Sequence, residues 1–196
     1  MRLTVYEATR RQLPDALDAH EGWLISGSRS SATDDEPWIH DLTDLTAELI
    51  RAERPTVGIC FGHQVAARAL GGRVERADGW GIGVQEFTMA DGVGAAAPTS
   101  SFSLLMSHQD QVTELPAEAQ PAARSDYCPI GAFTVGDHFL GVQGHPEWVP
   151  ELARMLGAKR RHRIGPAAVD AAMATIDSPT DDDLVARWAM HGIWSR

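Results

Sequence analysis

The chain has 196 residues, of which 43% are hydrophobic, so its size and composition suit one ordinary domain with its own core. Its formal net charge of -10 argues against nonspecific attraction to nucleic acid or to an acidic membrane surface. The longest apolar runs fall far short of the roughly 18 residues that a membrane-spanning helix needs. Because only two cysteines are present and no signal-peptide pattern opens the chain, we expect a reduced, cytoplasmic protein without a disulfide framework.

Short apolar runs alternate with helical patterns over the first half of the chain, which predicts an α/β fold with helices covering a sheet. Hydrophobic residues between Trp38 and Leu49 recur at spacings typical of one helical face. The predicted elements are strands at 2–6 and 22–26, a helix at 37–53, a strand at 56–60 and a helix that ends near Leu70.

The middle of the chain changes to short strands joined by turns, and the last part becomes helical again. The predicted strands are 73–76, 82–88, 102–106, 130–135 and 138–143, the last two forming a hairpin around Asp137. The predicted helices are 149–158, 166–176 and 181–192. We expect the basic run at 159–163 to be a solvated helix end that complements the helix dipole.

The sharpest local signal lies between Val57 and Gln64, where a β-branched strand runs into Gly-x-Cys-x-Gly and then into a helix. This is the cysteine form of the nucleophile elbow, a tight strand–turn–helix that exposes one side chain for attack. The free N–H groups and the dipole at the start of that helix favour a thiolate over a thiol. We therefore predict that Cys60 is a nucleophile. Cys128 lacks such a setting and is predicted to be a core residue.

A thiolate nucleophile needs a proton shuttle, because the leaving group must depart as neutral ammonia or a neutral amine. Of the eight histidines, His145 fits best, since it directly follows an apolar strand and precedes Pro146, whose ring fixes the backbone angle. Glu147 lies two residues further on, where its carboxylate can accept a hydrogen bond from the imidazole and stabilise the imidazolium. Combined with the elbow, this triplet predicts a Cys60–His145–Glu147 triad.

Backbone N–H groups are expected to bind the negative charge that develops on the substrate oxygen. The strand at 22–26 ends in a turn of small residues, and the N–H of Gly27 is predicted to join that of Phe61 as an oxyanion donor. The sequence leaves two roles for Arg29, which are contact with a substrate carboxylate and an ordinary surface position. It also leaves two roles for His108, which are contact with substrate and a place in a structured loop. No set of residues shows convincing metal-ligand spacing, so we predict no metal and no other cofactor.

Together these motifs resemble the class I glutamine amidotransferase family, whose hallmarks are a Gly-x-Cys-x-Gly-x-Gln elbow and a later His-Pro-Glu. The resemblance covers nearly the whole chain, which we interpret as one domain over residues 1–196. Within the family the chain looks most like stand-alone GMP synthase-like proteins, and plant γ-glutamyl peptidases share the same pattern. The resemblance implies a flavodoxin-like, doubly wound, mostly parallel sheet with helices on both faces. It also implies that Gln64 holds the amino-acid end of the substrate, with Asp110 as a weaker candidate.

The resemblance further implies that Cys60 attacks the γ-amide of glutamine and forms a γ-glutamyl thioester, while ammonia leaves with a proton from His145. Two features depart from the family pattern. The turn at residues 27–29 reads Gly-Ser-Arg where the family often has Gly-Gly-Pro. In addition, the family's first strand–helix unit is missing before the strand at 2–6. We therefore expect an exposed sheet edge, a rearranged sheet or a true start further upstream.

Three functions stay open on the sequence. The chain lacks the Ser-Gly-Gly-x-Asp-Ser phosphate loop of the ATP pyrophosphatase domain in full GMP synthases. It is therefore predicted either to feed ammonia from glutamine to a separate synthetase partner or to hydrolyse free γ-glutamyl compounds. A catalytically silent binding or regulatory protein that has kept the fold is the third interpretation.

Overall fold

The computed structural model describes residues 2–93 and 100–194, with side chains described up to residue 190. In this part of the chain the strands are β1 (Trp23–Ile25), β2 (Thr56–Ile59), β3 (Arg73–Met89), β4 (Ser101–Glu114), β5 (Ala119–Arg124), β6 (Ala132–Val135) and β7 (Phe139–Val142). The helices are α1 (Pro37–Arg51), α2 (Phe61–Ala69), α3 (Pro150–Ile164), α4 (Pro166–Met173) and α5 (Asp182–Trp194). One seven-stranded sheet contains these strands in the order β1-β2-β7-β6-β5-β3-β4.

The expected α/β class is confirmed, but the sheet is mixed rather than mostly parallel. β2 pairs in parallel with β1 on one side and with β7 on the other. The other strand pairs in the described structure are antiparallel, and they are β7 with β6, β6 with β5, β5 with β3, and β3 with β4. The physical reason is the type of connection: among the described residues no helix lies between β3 and β7, and strands that are not joined by a crossover helix pair antiparallel.

Helices cover both faces of the sheet, as expected. Leu140 of β7 belongs to a hydrophobic cluster with Trp188 of α5. Phe139, its neighbour in the same strand, belongs to a second cluster with Ala66 of α2. Because successive side chains of a strand point to opposite faces, α2 and α5 pack against opposite sides of β7.

The predicted strand at 2–6 is wrong, because this segment has no strand partner and runs along the outside of the protein. Leu3 and Val5 are 77% and 84% exposed, so the alternating pattern buries no apolar face. The chain that follows is held to α1 by an ion pair between Arg11 and Asp41. β1 lies at the end of the strand order, with β2 as its neighbour, and the ring of Tyr6 packs against that of Trp23 in β1.

Most other predicted elements are present with different bounds. The strands predicted at 73–76 and 82–88 are two parts of β3, whose register with β4 shifts between Arg76 and Gly81. β4 continues well beyond the predicted end at residue 106, and β5 was not predicted because its Ala-Gln-Pro-Ala-Ala-Arg sequence lacks the usual strand formers. The hairpin between β6 and β7 is confirmed.

Two glycines allow the turn between β2 and α2 to pack closely against its surroundings. A Cβ atom at Gly58 would lie 2.7 Å from the carbonyl oxygen of Gly62. A Cβ atom at Gly62 would overlap the backbone carbonyl of Ile25 in β1. A side chain at either position would therefore push β1, β2 and α2 apart, which a closely packed interior resists.

We predict that Gly62→Ala lowers the free energy of unfolding by about 2–3 kcal/mol, because the added methyl group meets rigid backbone. Gly79→Ala is the matched control, since its Cβ would meet nothing closer than 3.9 Å. The control should change stability by less than about 0.5 kcal/mol. Urea unfolding followed by circular dichroism measures both. Equal stability of the two variants would contradict a rigid contact between Gly62 and Ile25.

Candidate active site

Cys60 lies between the last residue of β2 and the first residue of α2, with backbone angles φ 52° and ψ -99°. A positive φ is rare for a residue with a side chain, and such strain costs about 1–3 kcal/mol. The N–H of Cys60 donates to the carbonyl of Val142 in β7, and its own carbonyl accepts from the N–H of Gln64 in α2. The expected strand–turn–helix is therefore present, with the strained residue at its centre.

His145 lies just after β7, where three contacts orient its side chain. Its backbone N–H donates to the carbonyl of Leu105 in β4. The imidazole stacks on the ring of Trp148 with 3.8 Å between ring centroids, and its Nδ1 lies 2.7 Å from Oε1 of Glu147. The Cys60 side chain lies near enough to the imidazole to raise its pKa. Since Nδ1 faces Glu147, the other ring nitrogen is the one available to the sulfur.

The electrostatics of this group favour the protonated imidazole. Burial lowers the pKa of His145, but the negative charge and hydrogen bond of Cys60, and then Glu147, outweigh that effect and raise the pKa to about 9. At neutral pH His145 therefore carries its proton beside the sulfur. This arrangement can hold a thiolate and can deliver a proton to a departing amine.

The end of β1 lies directly beside these two side chains. A Cβ atom at Gly27 would lie 3.0 Å from Cε1 of His145 and 3.7 Å from Cβ of Cys60. Phe61 is the first residue of α2, a position where backbone N–H groups have no partner within the helix. Its ring is buried and packs against Trp38, so the side chain points into the core. The structure thus brings the backbone of Gly27 and of Phe61 to the same elbow.

The three residues expected to contact substrate are joined by hydrogen bonds. The amide nitrogen of Gln64 donates to the backbone carbonyl of Asp110 at 2.6 Å and to Oε1 of Gln143 at 3.0 Å. Nδ1 of His108 donates to the same Asp110 carbonyl at 3.0 Å, and burial lowers the pKa of His108 to about 4. His108 lies within β4, which corrects the structured-loop alternative. Because both amide hydrogens of Gln64 are used, its oxygen is what remains for a ligand.

A cavity of about 230 Å³ opens beside Cys60. The turn after β1, the elbow, β3, β4 and α3 supply its walls. Its charged lining residues are Arg29, Arg76, Arg160, Arg163, Asp34 and Asp110. Arg29 therefore faces the candidate site, and the cavity is rich in guanidinium groups although the whole chain is acidic.

The basic run at 159–163 forms the end of α3, as expected, and its residues are exposed or half-exposed, but two of them also line the cavity. Arg160 lines the cavity and donates from its guanidinium to Oγ of Ser107 at 3.0 Å. Arg163 also lines the cavity, and its guanidinium lies 4.9 Å from the ring centroid of Trp80. The physical reason is the packing of α3 against β3 and β4, which turns one side of the helix end toward Cys60.

Two residues of the site were missed by sequence reasoning. Trp148 stacks on the imidazole of His145. Its place directly after the His-Pro-Glu triplet is the sequence feature that could have predicted this contact. Gln143 holds Gln64, and it is a fully buried polar residue at the end of an apolar strand. The contact of Gln143 depends on how β7 packs against α2, which the order of residues along the chain does not show.

The residues that compete with Cys60 and His145 have core positions. Cys128 is fully buried, and burial raises the pKa of its thiol to about 12. His63 is also fully buried, lies against the ring of Phe133, and has its pKa lowered to about 3 by burial. Both groups are therefore neutral at pH 7 and do not line the cavity, and the core position predicted for Cys128 is confirmed.

Within residues 2–93 and 100–194, no three or more histidine, cysteine or carboxylate side chains are grouped so that they could hold a metal ion. No helix in the same ranges is both long enough and apolar enough to cross a membrane.

The fold and the site together define an α/β protein built around a cysteine elbow. The family model described as Glutamine amidotransferase class-I matches residues 2–159, and the chain belongs to this family. Gamma-glutamyl peptidase 3 of Arabidopsis thaliana is 37% identical over 151 residues, which cover 72% of this chain and 61% of that protein. GMP synthase [glutamine-hydrolyzing] of Aeropyrum pernix is 35% identical over 136 residues, which cover 69% of this chain and 26% of that protein. The chain thus spans only part of the length of these relatives.

Two solved structures share the fold. A glutamine amidotransferase from Thermotoga maritima matches with a TM-score of 0.79 and 18% identity, covering 95% of this chain and 84% of that one. A glutamine amido transferase from Methylobacillus flagellatus matches with a TM-score of 0.76 and 24% identity, covering 94% of this chain and 82% of that one. At these identities the similarity concerns the fold.

We predict that Cys60→Ser lowers the pKa of His145 from about 9 toward the ordinary value of 6.5, because the charged sulfur is the largest influence that raises it. Cys128→Ser is the matched control and should leave the His145 titration near pH 9. An NMR pH titration of the imidazole ring protons measures both variants. An unchanged titration in Cys60→Ser would mean that no negative charge on the sulfur supports the imidazolium.

Proposed function

We propose that the chain is a cysteine amidohydrolase that cleaves the γ-amide bond of γ-glutamyl compounds. The observation that carries the proposal is the convergence of Cys60, the His145 imidazole, the Glu147 carboxylate and the Gly27 backbone. Of these residues, Cys60 lines the cavity. These groups come from three separate parts of the chain. Membership of the glutamine amidotransferase class-I family supports the same chemistry.

In the proposed reaction, the sulfur of Cys60 attacks the γ-carbonyl carbon, and the carbonyl π electrons move onto oxygen. The N–H groups of Gly27 and Phe61 stabilise this oxyanion. When the carbonyl re-forms, the C–N bond breaks and His145 gives its proton to the departing nitrogen, which leaves a γ-glutamyl thioester. The neutral imidazole then takes a proton from water as its oxygen attacks the thioester. Collapse of that intermediate releases glutamate and restores the thiolate.

Glu147 and Trp148 act in this scheme by holding the imidazole. The carboxylate at 2.7 Å from Nδ1 selects the ring nitrogen that faces the sulfur and stabilises the imidazolium. The stacked indole fixes the plane of the ring. A ring held in this way can exchange its proton between the leaving nitrogen and the incoming water without reorienting.

The α-amino-acid end of the substrate is proposed to bind near Gln64 and Asp110. An α-ammonium group needs acceptors, and the free oxygen of Gln64 and the carboxylate of Asp110 supply them. Arg76, whose Nε lies 3.2 Å from Oδ1 of Asp110, offers donors for the α-carboxylate. His108 holds the Asp110 backbone in place through its bond to the carbonyl.

A second candidate function is a glutaminase that passes ammonia to a separate synthetase partner. The similarity to GMP synthase favours it, because the match covers only 26% of the Aeropyrum pernix enzyme and so concerns one part of a larger protein. In this case glutamine is the substrate, and turnover depends on the partner.

We predict that the protein releases glutamate from γ-glutamyl dipeptides and from glutamine, and that Cys60→Ser lowers kcat/KM by about 10³-fold or more. Cys128→Ser, at a buried core position, should keep the wild-type rate. A coupled glutamate assay measures all three proteins. Faster turnover of dipeptides supports the hydrolase, whereas glutamine turnover that rises with added lysate supports the partner-dependent glutaminase. No turnover of either substrate under both conditions would count against both candidates.

We predict that a chloroketone analogue of glutamine labels Cys60 at least about tenfold faster than Cys128 at pH 7, because the thiolate is the reactive form. The pKa of Cys128 is raised to about 12 by burial, so its thiol stays protonated. Mass spectrometry of tryptic peptides over time gives both rates. Equal slow labelling of the two cysteines would favour the interpretation of a catalytically silent binding protein.

A further inference from the structure

Three guanidinium groups converge on the cavity beside Cys60. Arg29 comes from the turn after β1, and Arg160 and Arg163 come from the end of α3. The pKa of Arg160 is lowered, first by burial and then by the positive charges of Arg163 and Arg29. Arg160 is half-buried whereas Arg29 and Arg163 are exposed, and like charges beside a half-buried guanidinium cost free energy unless an anion joins them.

These arginines differ from many others in the protein. None of the ion pairs found among the described residues includes Arg29, Arg160 or Arg163. Carboxylates lie instead against the arginines at six other positions, which are Arg10, Arg11, Arg73, Arg76, Arg154 and Arg161. In a chain with a net charge of -10 this contrast does not come from a shortage of acidic residues.

Neighbouring groups hold the cluster in position without neutralising it. The hydroxyl of Ser107 accepts from Arg160, and the ring of Trp80 lies under the guanidinium of Arg163. The two carboxylates of the cavity have other partners. Asp34 accepts from the N–H of Ser31. The second cavity carboxylate, that of Asp110, faces Arg76.

We propose that Arg29, Arg160 and Arg163 form an anion subsite that binds a carboxylate on the amine portion of the substrate. Guanidinium groups suit this task, since their fixed donors match the two oxygens of a carboxylate. The inference rests on the proposed function and makes it more specific. The preferred substrates are γ-glutamyl amino acids or peptides, whose leaving amine carries a carboxylate, rather than glutamine, whose leaving group is ammonia.

The positions of the charged groups in the cavity indicate that the three arginines bind a carboxylate of the leaving amine rather than the substrate's own α-carboxylate. Asp110 and Arg76 already offer one acceptor and one donor group to a zwitterionic α-amino-acid end. The cluster of three arginines contains no acceptor for an α-ammonium group. Arg160 also interacts electrostatically with Cys60. The leaving amine departs from the carbonyl carbon that this sulfur attacks, so it departs near Arg160.

The test compares γ-glutamylglycine with γ-glutamylglycinamide, which differ only in the charge of the amine portion. We expect the wild-type protein to prefer γ-glutamylglycine by about tenfold or more in kcat/KM, mainly through KM. Arg160→Gln and Arg163→Gln should each remove most of this preference. Because both substrates react with the same sulfur, any general effect of Arg160 on Cys60 cancels in the ratio.

Arg161→Gln is the matched control, since it removes the same charge from the same helix. The native Arg161 pairs with Asp170 outside the cavity. It should keep the wild-type preference. Circular dichroism and thermal unfolding establish that the variants are folded. A third substrate, γ-glutamylglycine with its α-carboxylate converted to an amide, distinguishes the two possible sources of the bound carboxylate.

Equal use of the two glycine compounds by the wild-type protein, or a preference that survives both arginine substitutions, would overturn the inference while leaving the proposed function intact. It would also be overturned if the arginine substitutions changed only the discrimination against the α-amide. Absence of turnover for every γ-glutamyl compound, together with no labelling of Cys60 by the glutamine-analogue chloroketone, would overturn the proposed function and this inference together.

Discussion

The interaction between Cys60 and the His145 imidazole, which raises the pKa of the imidazole, is the one on which the proposed site depends. Each group is expensive to bury as an isolated charge, and each becomes favourable in the presence of the other. Burial disfavours the imidazolium, yet the pKa of His145 rises to about 9 because the sulfur and then Glu147 supply negative charge beside it. The pair is therefore maintained as a unit, and Glu147 and Trp148 hold the ring so that the contact persists.

The parallel part of the sheet explains how residues so distant in the chain meet. Parallel strands end at the same edge, and β1, β2 and β7 are adjacent there, followed by Gly27, Cys60 and His145. The N–H of Cys60 donates to the last residue of β7, which ties the two strand ends together by a backbone hydrogen bond. The close approach of β1 to α2 depends on the absence of a side chain at Gly62, because a Cβ atom there would overlap β1. The sheet edge thus supplies the backbone positions, and the strained turn supplies the direction of the sulfur.

The distribution of charge in the cavity runs against that of the whole chain. A net charge of -10 weakly repels acidic compounds at long range. Close to Cys60, however, guanidinium groups from the turn after β1 and from α3 dominate, and their field acts where the dielectric constant is lower than in bulk water. Salt screens the long-range repulsion far more than it screens contacts inside a partly closed cavity. In the proposed anion subsite, an anionic compound is therefore recognised by contact in the cavity rather than by the overall charge of the protein.

The amino-acid sequence by itself determined the local features of this protein. The elbow around Cys60, the hairpin before His145 and the neighbouring Glu147 are each encoded in short contiguous stretches, where strand formers, glycines and a proline leave few backbone conformations. Tertiary structure decided three other features: that residues 2–6 form no strand, that β5 forms one, and that Arg160 lines the cavity. An extended segment becomes a strand only beside a free sheet edge, and a helical arginine meets solvent or a cavity according to how the helix packs. Such outcomes are decided by contacts between distant residues, which no local pattern contains.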